Sequence, residues 1–207
     1  MQKKNKVVKA WIKRHVSDHY VHMAKKEGYR SRAAYKLEQL EVEFSLLHNV
    51  ATIVDLGCAP GSWSQYLLRK CSKDIKVIGV DLLPIEPLHN LHFIQGDFTD
   101  NAILEQLITS IGSKKVDLII SDMAPNLSGV KTVDQARGAY LVELVFDFAS
   151  NYLKPGGNCL IKIFQGGEFE QLVSQARTIF AQVVIRKPES SRNSSAETYI
   201  VCRNKKS

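Results

Sequence analysis

Short apolar segments alternate with amphipathic segments from residue 51 to the end of the chain. The apolar segments are four to six residues long, which is typical of buried strands, and they cover 52–56, 76–81, 91–94, 116–121, 159–164, 183–187 and 198–202. Helical periodicity predicts helices over 63–70, 101–111, 133–152 and 169–180, the third of which is ended by Lys154-Pro155-Gly156-Gly157. Strands that are apolar on both sides need helices on both faces of the sheet. The pattern therefore predicts an α/β, Rossmann-like fold whose seven-stranded, mostly parallel sheet ends in an antiparallel hairpin.

The composition is that of one globular domain. The chain has 207 residues, of which 44% are hydrophobic, enough for one substantial core. No apolar run is long enough to span a bilayer, and the charged start, Met1-Gln2-Lys3-Lys4, is unlike a signal peptide. The four cysteines form no Cys-x-x-Cys pair, which indicates reduced, buried side chains. We expect a cytoplasmic monomer with no metal site and no membrane partner. A mitochondrial transit peptide is disfavoured because the start is rich in Lys rather than in Arg and Ser.

Positive charge is concentrated near the N terminus. The net charge of the chain is +7, and residues 1–36 alone carry eleven Lys or Arg against Asp18 and Glu27. Four aromatic residues lie among these cations: Trp11, Tyr20, Tyr29 and Tyr35. Cations bind phosphates, and aromatic rings stack on unpaired bases. We interpret residues 1–30 as a basic arm that contacts nucleic acid and residues 31–207 as the folded domain. Charge alone leaves a solvated tail as the alternative.

Each of the first four predicted strands ends in residues that suit a ligand. The Gly-rich turn Gly57-Cys58-Ala59-Pro60-Gly61 follows the first strand, Asp81 ends the second, and Asp97 and Asp122 follow the third and fourth. Ligands of parallel sheets bind at the carboxyl ends of the strands. The turn is neither Gly-x-Gly-x-x-Gly nor a P-loop, which disfavours a dinucleotide or a nucleoside triphosphate. One acidic strand end is usually a cap or a turn residue. A Gly-rich turn and three acidic residues at four consecutive strand ends predict a ligand with a ribose for Asp81, an adenine for Asp97 and a positive sulfonium.

A lysine interrupts the fifth apolar strand, Leu160-Ile161-Lys162-Ile163-Phe164. An ammonium in such a strand is costly unless it faces a cleft or has a partner. Asp122 ends the fourth predicted strand and Glu197 precedes the last one, so both carboxylates can reach the same edge of the sheet. We therefore expect Lys162, Asp122 and Glu197 to converge.

Four stretches of the chain resemble the FtsJ family (also called the RrmJ or RlmE family) of RNA 2′-O-methyltransferases. They are Ser31-Arg32-Ala33-Ala34-Tyr35-Lys36-Leu37, Asp55-Leu56-Gly57-Cys58-Ala59-Pro60-Gly61-Ser62-Trp63, Ser121-Asp122-Met123-Ala124-Pro125-Asn126 and Arg186-Lys187-Pro188-Glu189-Ser190-Ser191-Arg192. The resemblance implies that residues 31–207 form a methyltransferase domain that uses S-adenosylmethionine. By the same resemblance, the residues that contact this cofactor are Gly61, Trp63, Asp81, Asp97 and Asp122. The family's catalytic Lys-Asp-Lys-Glu set corresponds here to Lys36, Asp122, Lys162 and Glu197.

The resemblance also implies a reaction, namely methylation of a uridine ribose 2′-hydroxyl in large-subunit (23S) ribosomal RNA, within the assembled 50S subunit. Lys162 would take or steer the hydroxyl proton, Asp122 would orient Lys162, and Lys36 and Glu197 would position the ribose. Base methylation is disfavoured because Asp122-Met123-Ala124-Pro125 replaces the Asn/Asp-Pro-Pro-Tyr/Phe turn of amino-directed enzymes. Two alternatives stay open: a ribose methyltransferase for transfer RNA anticodon loops, and a non-catalytic RNA-binding factor for ribosome assembly.

Overall fold

The computed structural model describes residues 18–71, 74–192 and 195–207. Two helices come first in the described part, α1 (His19–Glu27) and α2 (Ala34–Phe44). The alternating part that follows consists of β1 (Thr52–Leu56), α3 (Ser62–Lys70), β2 (Lys76–Asp81), β3 (Leu91–Gln95), α4 (Asn101–Ile111), β4 (Val116–Ser121), α5 (Lys131–Tyr152), β5 (Leu153–Phe164), α6 (Phe169–Ile179), β6 (Phe180–Arg186) and β7 (Glu197–Lys205). None of the helices in the described ranges is both long and apolar enough to cross a bilayer.

The strands form one seven-stranded sheet in the order β3-β2-β1-β4-β5-β7-β6. The first five strands of this order are parallel, whereas β7 runs antiparallel to both β5 and β6. The predicted fold class is therefore confirmed, including the C-terminal hairpin. The sequence pattern did not predict which strand of the hairpin pairs with β5. In the structure β7 inserts between β5 and β6 and is the direct neighbour of β5.

Helices cover both faces of the sheet. Successive side chains of a strand point to opposite faces, so the apolar side chains of one strand pack against helices on both sides. Ile53 of β1 packs in a cluster with the buried side chains of α2 and α3. Val54 and Leu56 pack in a second cluster with α4, α5 and α6. β1 is buried along its whole length because it lies between these two clusters.

The predicted strand over 159–164 is longer in the structure. β5 begins at Leu153, directly after α5, and includes the Lys154-Pro155-Gly156-Gly157 segment that sequence reasoning takes as a break. Leu153 pairs with Val116 of β4, and regular pairing resumes at Asn158. The residues between them bulge out of the ladder, and Gly156 allows this because its φ is +77°.

Part of the predicted basic arm packs against the domain. α1 buries Val21 and Ala24, and beyond it the backbone N–H of Arg30 donates to Gln65 Oε1 of α3 at 2.9 Å. Residues 1–17, which carry most of the predicted arm, lie outside the described residues. The division of the chain at residue 30 stays a prediction.

Asp117 is a buried carboxylate near the start of β4. We expect Asp117→Ala to lower the free energy of unfolding by about 3 kcal/mol at pH 7. Its Oδ2 accepts the backbone N–H groups of Ala51 (2.9 Å) and Thr52 (2.7 Å), and its Oδ1 pairs with Lys154. Burial raises the pKa of Asp117, but these hydrogen bonds outweigh burial, so the pKa lies below its usual value. A lowered carboxyl pKa stabilises the fold above pH 4 and loses that effect as the pH falls through the folded-state value.

Urea unfolding at pH 7 and at pH 3 measures both effects. The control is Asp147→Ala, which removes an exposed carboxylate of α5 and should change stability by less than about 0.5 kcal/mol. If Asp117→Ala loses no more unfolding free energy than this control, or loses the same amount at both pH values, the carboxylate does not stabilise the start of β1.

Candidate active site

The carboxyl ends of β1, β2, β3 and β4 lie side by side at one edge of the sheet. Backbone hydrogen bonds join them beyond the regular ladder: the Gly57 N–H donates to Val80 O at 2.9 Å, and the Asp122 N–H donates to Leu56 O at 3.1 Å. This edge therefore holds, in fixed positions, the Gly-rich turn and the three acidic strand ends that sequence reasoning assigns to one ligand.

The turn at 57–61 has a backbone that only glycine accommodates at its two ends. Gly57 has a φ of +74°, and a Cβ there would lie 2.8 Å from the backbone nitrogen of Met123. Gly61 has a φ of +95° and is the N-cap of α3. The turn thus passes close to the loop after β4 and leads into a helix N-terminus, where backbone N–H groups suit an electron-rich ligand group.

Asp81 and Asp97 stand at the ends of the neighbouring strands. Asp81 Oδ2 accepts the Ala59 N–H at 2.8 Å, and its Oδ1 accepts the Leu83 N–H at 2.9 Å. Asp97 is exposed, and its Oδ1 accepts two hydrogen bonds from Thr99. A carboxylate oxygen has two lone pairs, so both side chains retain capacity for a ligand hydroxyl or amino group.

Asp55 is a residue of this site that sequence reasoning missed. It lies in β1 beneath the turn, fully buried, with Oδ2 accepting the Ser64 hydroxyl at 2.6 Å and no partner for Oδ1 among the described residues. Burial, reinforced by the charges of Asp122 and Asp81, raises the pKa of Asp55 to about 7. A carboxylate inside the apolar strand Thr52–Leu56 is the signal that identifies it.

Trp63 lies in the site region, but its side chain points into the core. The ring is only 2% exposed, its Nε1–H donates to Ala33 O at 2.8 Å, and its centroid lies 5.8 Å from that of Tyr199. The indole therefore joins α3, α2 and β7. As the second residue of α3, Trp63 has a backbone N–H in the first helical turn. Any contact with a ligand is assigned to that group and stays a prediction.

The four predicted catalytic residues form two ion pairs. Lys36 Nζ lies 2.6 Å from Glu197 Oε1, and Lys162 Nζ lies 3.1 Å from Asp122 Oδ1. Lys162 also donates to the main-chain carbonyl of Asp122. All four side chains are partly buried, between 9% and 22% exposed, so the pairs border solvent without lying free in it.

Strand register brings two of these side chains, Lys162 and Glu197, to one face of the sheet together with Tyr199. Lys162 of β5 is the direct partner of Tyr199 in β7, and Phe164 is the partner of Glu197. Positions two apart on a strand share a face, so Lys162, Glu197 and Tyr199 point the same way. Insertion of β7 beside β5 is thus the feature of the fold that brings Glu197 and Tyr199 to Lys162.

Tyr199 connects the two ion pairs, and sequence reasoning missed it. Its hydroxyl donates to Asp122 Oδ1 at 2.9 Å, and Lys36 Nζ lies 5.9 Å from the centroid of its ring. Burial, together with the charges of Asp122 and Glu197, raises the pKa of Tyr199 well above its usual value. The hydroxyl therefore stays a hydrogen-bond donor and fixes the orientation of the Asp122 carboxylate.

The local charges keep Glu197 ionised at neutral pH. Burial raises the pKa of Glu197, but the charge and hydrogen bond of Lys36 and the charge of Lys162 outweigh burial, and the pKa lies below its usual value. The centre thus holds two lysines, two carboxylates and a phenol a short distance from the ligand edge. Such a set can bind a hydroxyl and move a proton. In the described ranges no group of three or more His, Cys, Asp or Glu side chains is placed to hold a metal ion.

Comparisons with known proteins identify the family of the chain. The sequence model of the FtsJ-like methyltransferase family matches residues 29–205. The chain is 48% identical over 200 residues to the ribosomal RNA large subunit methyltransferase E of Legionella pneumophila (strain Corby), covering 97% of both chains. It is 47% identical over 206 residues to the protein of the same name from Neisseria meningitidis serogroup C, covering 100% of both.

The solved structures extend this result to the fold. A Plasmodium falciparum protein described as a ribosomal RNA methyltransferase matches with a TM-score of 0.74 and 33% identity, covering 86% of this chain and 98% of its own. Human methyltransferase-like protein 13, solved in complex with SAH, matches with a TM-score of 0.56 and 13% identity over 77% of this chain and 74% of its own, which shows the fold alone. The resemblance seen in the sequence is confirmed, and the chain belongs to the FtsJ-like methyltransferase family.

Proposed function

We propose that this protein transfers a methyl group from S-adenosylmethionine to the 2′-hydroxyl of a uridine in 23S ribosomal RNA, with the assembled large subunit as its substrate. The observation that best supports the proposal is the arrangement of two ion pairs, Lys36–Glu197 and Lys162–Asp122. Tyr199 connects them next to the Gly-rich turn. The names of relatives about half identical over the whole chain support ribosomal RNA as the substrate. We infer from this substrate that the protein acts in the cytoplasm, and we propose that it acts as a monomer.

The residues at the ligand edge suit S-adenosylmethionine. A Cβ at Gly57 would collide with Met123 and one at Gly61 with Arg30, so the two glycines let the turn pack closely against these neighbours at the ligand edge. Asp81 offers a carboxylate for the ribose hydroxyls and Asp97 one for the adenine amino group. Asp122 adds negative potential beside the turn, which favours a cationic sulfonium. We assign Gly61, Trp63 (through its backbone), Asp81, Asp97 and Asp122 to the binding of this cofactor.

The chemistry then divides between donor and protein. S-adenosylmethionine supplies the methyl group as a strong electrophile. A ribose 2′-hydroxyl is a weak acid, so the protein must align its oxygen and remove its proton as the new O–C bond forms. We assign the proton to Lys162, which takes it as a neutral amine or, as an ammonium, steers it to solvent, because this side chain lies between β4 and β7. Asp122, oriented by Tyr199, fixes the Lys162 ammonium group.

Lys36 and Glu197 form the other side of the centre. Their 2.6 Å ion pair joins α2 to the start of β7, opposite the Lys162–Asp122 pair. The ionised Glu197 carboxylate accepts hydrogen bonds and Lys36 donates them, so together they suit the hydroxyl and phosphate oxygens of a nucleotide. We therefore assign both residues to positioning the ribose.

We predict that the basic N-terminal arm binds RNA through its cationic side chains. Lys9, Lys13 and Arg14 lie outside the described residues, and we expect their joint replacement by Gln to weaken RNA binding. We also expect it to reduce the slope of log affinity against log salt by about 2, since each lost phosphate contact lowers the slope by about 0.7 for single strands. Binding titrations over a salt series measure the slope, and calorimetry with S-adenosylhomocysteine should show unchanged cofactor affinity.

The matched control neutralises Lys114 and Lys115, which precede β4 at the opposite edge of the sheet. This control should leave the RNA salt slope as it is. An unaltered slope in the arm variant would mean that the arm is a solvated tail, the alternative that the charge pattern leaves open.

Methyl transfer in vitro tests the proposal. Purified protein is incubated with S-adenosylmethionine carrying a labelled methyl group and with large subunits, free 23S ribosomal RNA or transfer RNA. A 2′-O-methyl group blocks alkaline cleavage of the adjacent phosphodiester, so the label should appear in alkali-resistant dinucleotides from large subunits. Label in transfer RNA alone would support the anticodon-loop alternative, and no transfer at all would support a non-catalytic assembly factor.

A further inference from the structure

The Arg30 side chain joins the two walls of the proposed cofactor cleft. Its Nη1 donates to the Pro60 carbonyl in the Gly-rich turn at 2.8 Å, and its Nη2 donates to the Pro87 carbonyl in the segment after β2 at 3.0 Å. These two carbonyls belong to separate loops, at the carboxyl ends of β1 and β2. The planar guanidinium has N–H groups in a fixed fork, so one side chain sets the separation of both loops.

Arg30 is itself held in place from the other side. Its backbone N–H donates to Gln65 Oε1 at 2.9 Å, and the neighbouring Ser31 hydroxyl lies 2.7 Å from the Ser62 hydroxyl at the start of α3. A Cβ on Gly61 would lie 2.7 Å from Arg30 Nη1. The guanidinium therefore lies directly against Gly61, the last residue of the turn. Any side chain at position 61 would prevent this close contact.

These contacts distinguish Arg30 from the other cations near the N terminus. Arg32, two residues later, forms an ion pair with Asp18 and donates to the Ser190 carbonyl, so it points toward the loop before β7. Lys36 pairs with Glu197 in the catalytic centre. Arg30 is directed to neutral carbonyls of the ligand edge, which is the geometry of a support for that edge rather than of a contact with a phosphate.

We propose that Arg30 is a positioning residue for the cofactor: it holds the turn at 57–61 and the segment at 82–90 at the separation that the bound cofactor requires. The proposal rests on the proposed use of S-adenosylmethionine. Asp81 bridges the same two loops from beneath by accepting the Ala59 and Leu83 N–H groups. Arg30 and Asp81 thus each connect the two loops. Without Arg30 the loops are free to separate, and ordering them when the cofactor binds costs more free energy.

The expected result is a loss of cofactor affinity that depends on the fork and not on the charge. Calorimetry with S-adenosylhomocysteine should give binding about tenfold weaker for Arg30→Ala than for the wild-type protein. Arg30→Lys should be nearly as weak, because a single ammonium keeps the charge but cannot reach both carbonyls in the same geometry. In steady-state assays the KM for S-adenosylmethionine should rise, while kcat and the KM for RNA stay within about twofold of wild type.

Arg69→Ala is the matched control. Arg69 donates to the carbonyls of Glu27 and Gly28, both at 2.9 Å, and so ties the same N-terminal segment to α3 away from the turn. Its removal should leave S-adenosylhomocysteine affinity unchanged. Equal losses in Arg30→Ala and Arg69→Ala would mean general loosening of the segment and would overturn the proposal, as would wild-type affinity in Arg30→Ala or full rescue by Arg30→Lys. Failure of the wild-type protein to bind S-adenosylhomocysteine would instead overturn the proposed cofactor, and this inference with it.

Discussion

Replacing Lys162 with Ala should lower the rate of methyl transfer by about 10²–10⁴-fold, the usual contribution of a positioned proton-transfer group. Lys162 lies in β5 among apolar neighbours, its Nζ is 3.1 Å from Asp122 Oδ1, and its side chain is 9% exposed. The proposed cofactor contacts lie on other strands, so binding of S-adenosylhomocysteine should persist. Single-turnover assays with large subunits measure the rate, and calorimetry and thermal unfolding establish that the variant is folded and binds the cofactor.

Arg at the same position separates charge from proton transfer. A guanidinium keeps the positive charge next to Asp122 but does not give up a proton at accessible pH. We therefore expect Lys162→Arg to remain strongly impaired. Substantial activity of Lys162→Arg would assign the lysine to charge and orientation, and activity of Lys162→Ala within a few-fold of wild type would exclude both roles.

Asp81→Ala should weaken S-adenosylhomocysteine binding by about 10–100-fold, because hydrogen bonds to a charged group contribute about 1.5–3 kcal/mol. The variant loses the proposed acceptor of the ribose hydroxyls and also the two backbone hydrogen bonds from Ala59 and Leu83 that shape the cleft. Calorimetry measures the affinity. In thermal unfolding the ligand should stabilise the wild-type protein, and NAD or ATP should not.

The control for Asp81 is Asp147→Ala, which removes an exposed carboxylate near the end of α5, at the opposite edge of the sheet. It changes the net charge by the same amount and should leave ligand affinity as it is. Unchanged affinity in Asp81→Ala would remove this residue from the cofactor site and would leave the acidic strand ends as turn residues.

The fold was predictable from the alternation of strands and helices, because apolar strands separated by helices have few alternative packings. Three of the catalytic candidates were predictable from the residues, because Lys162 conflicts with its apolar strand and Asp122 and Glu197 can reach the same edge. Lys36 was assigned through the family resemblance alone. The contact of Asp122 with Lys162 was expected, but the register that places Tyr199 directly beside Lys162 was not predictable, because β7 is the neighbour of β5 only through its insertion between β5 and β6. Strand order inside a mixed sheet depends on long-range packing that no local pattern encodes.

Residues that act by supporting others were also missed, for a related reason. Tyr199 and Arg30 have ordinary neighbours in the sequence, and only the folded chain brings one to Asp122 and the other to Pro60 and Pro87. The charge pattern drew attention to the N-terminal segment as an arm, whereas α1 in fact buries Val21 and Ala24. Positive charge describes the exposed side of a segment and gives no information about what its other side contacts.

Mapping of ribose methylation in cellular RNA tests the central claim most directly. Mass spectrometry measures ribose methylation in 23S ribosomal RNA and in transfer RNA from three kinds of cell: cells with the protein, cells without it, and cells that carry only the Lys162→Ala chain. We predict that one uridine 2′-O-methyl group of 23S ribosomal RNA disappears without the protein, returns with the wild-type chain and does not return with Lys162→Ala. Unchanged methylation of 23S ribosomal RNA in cells that lack the protein, or full restoration by Lys162→Ala, would contradict it.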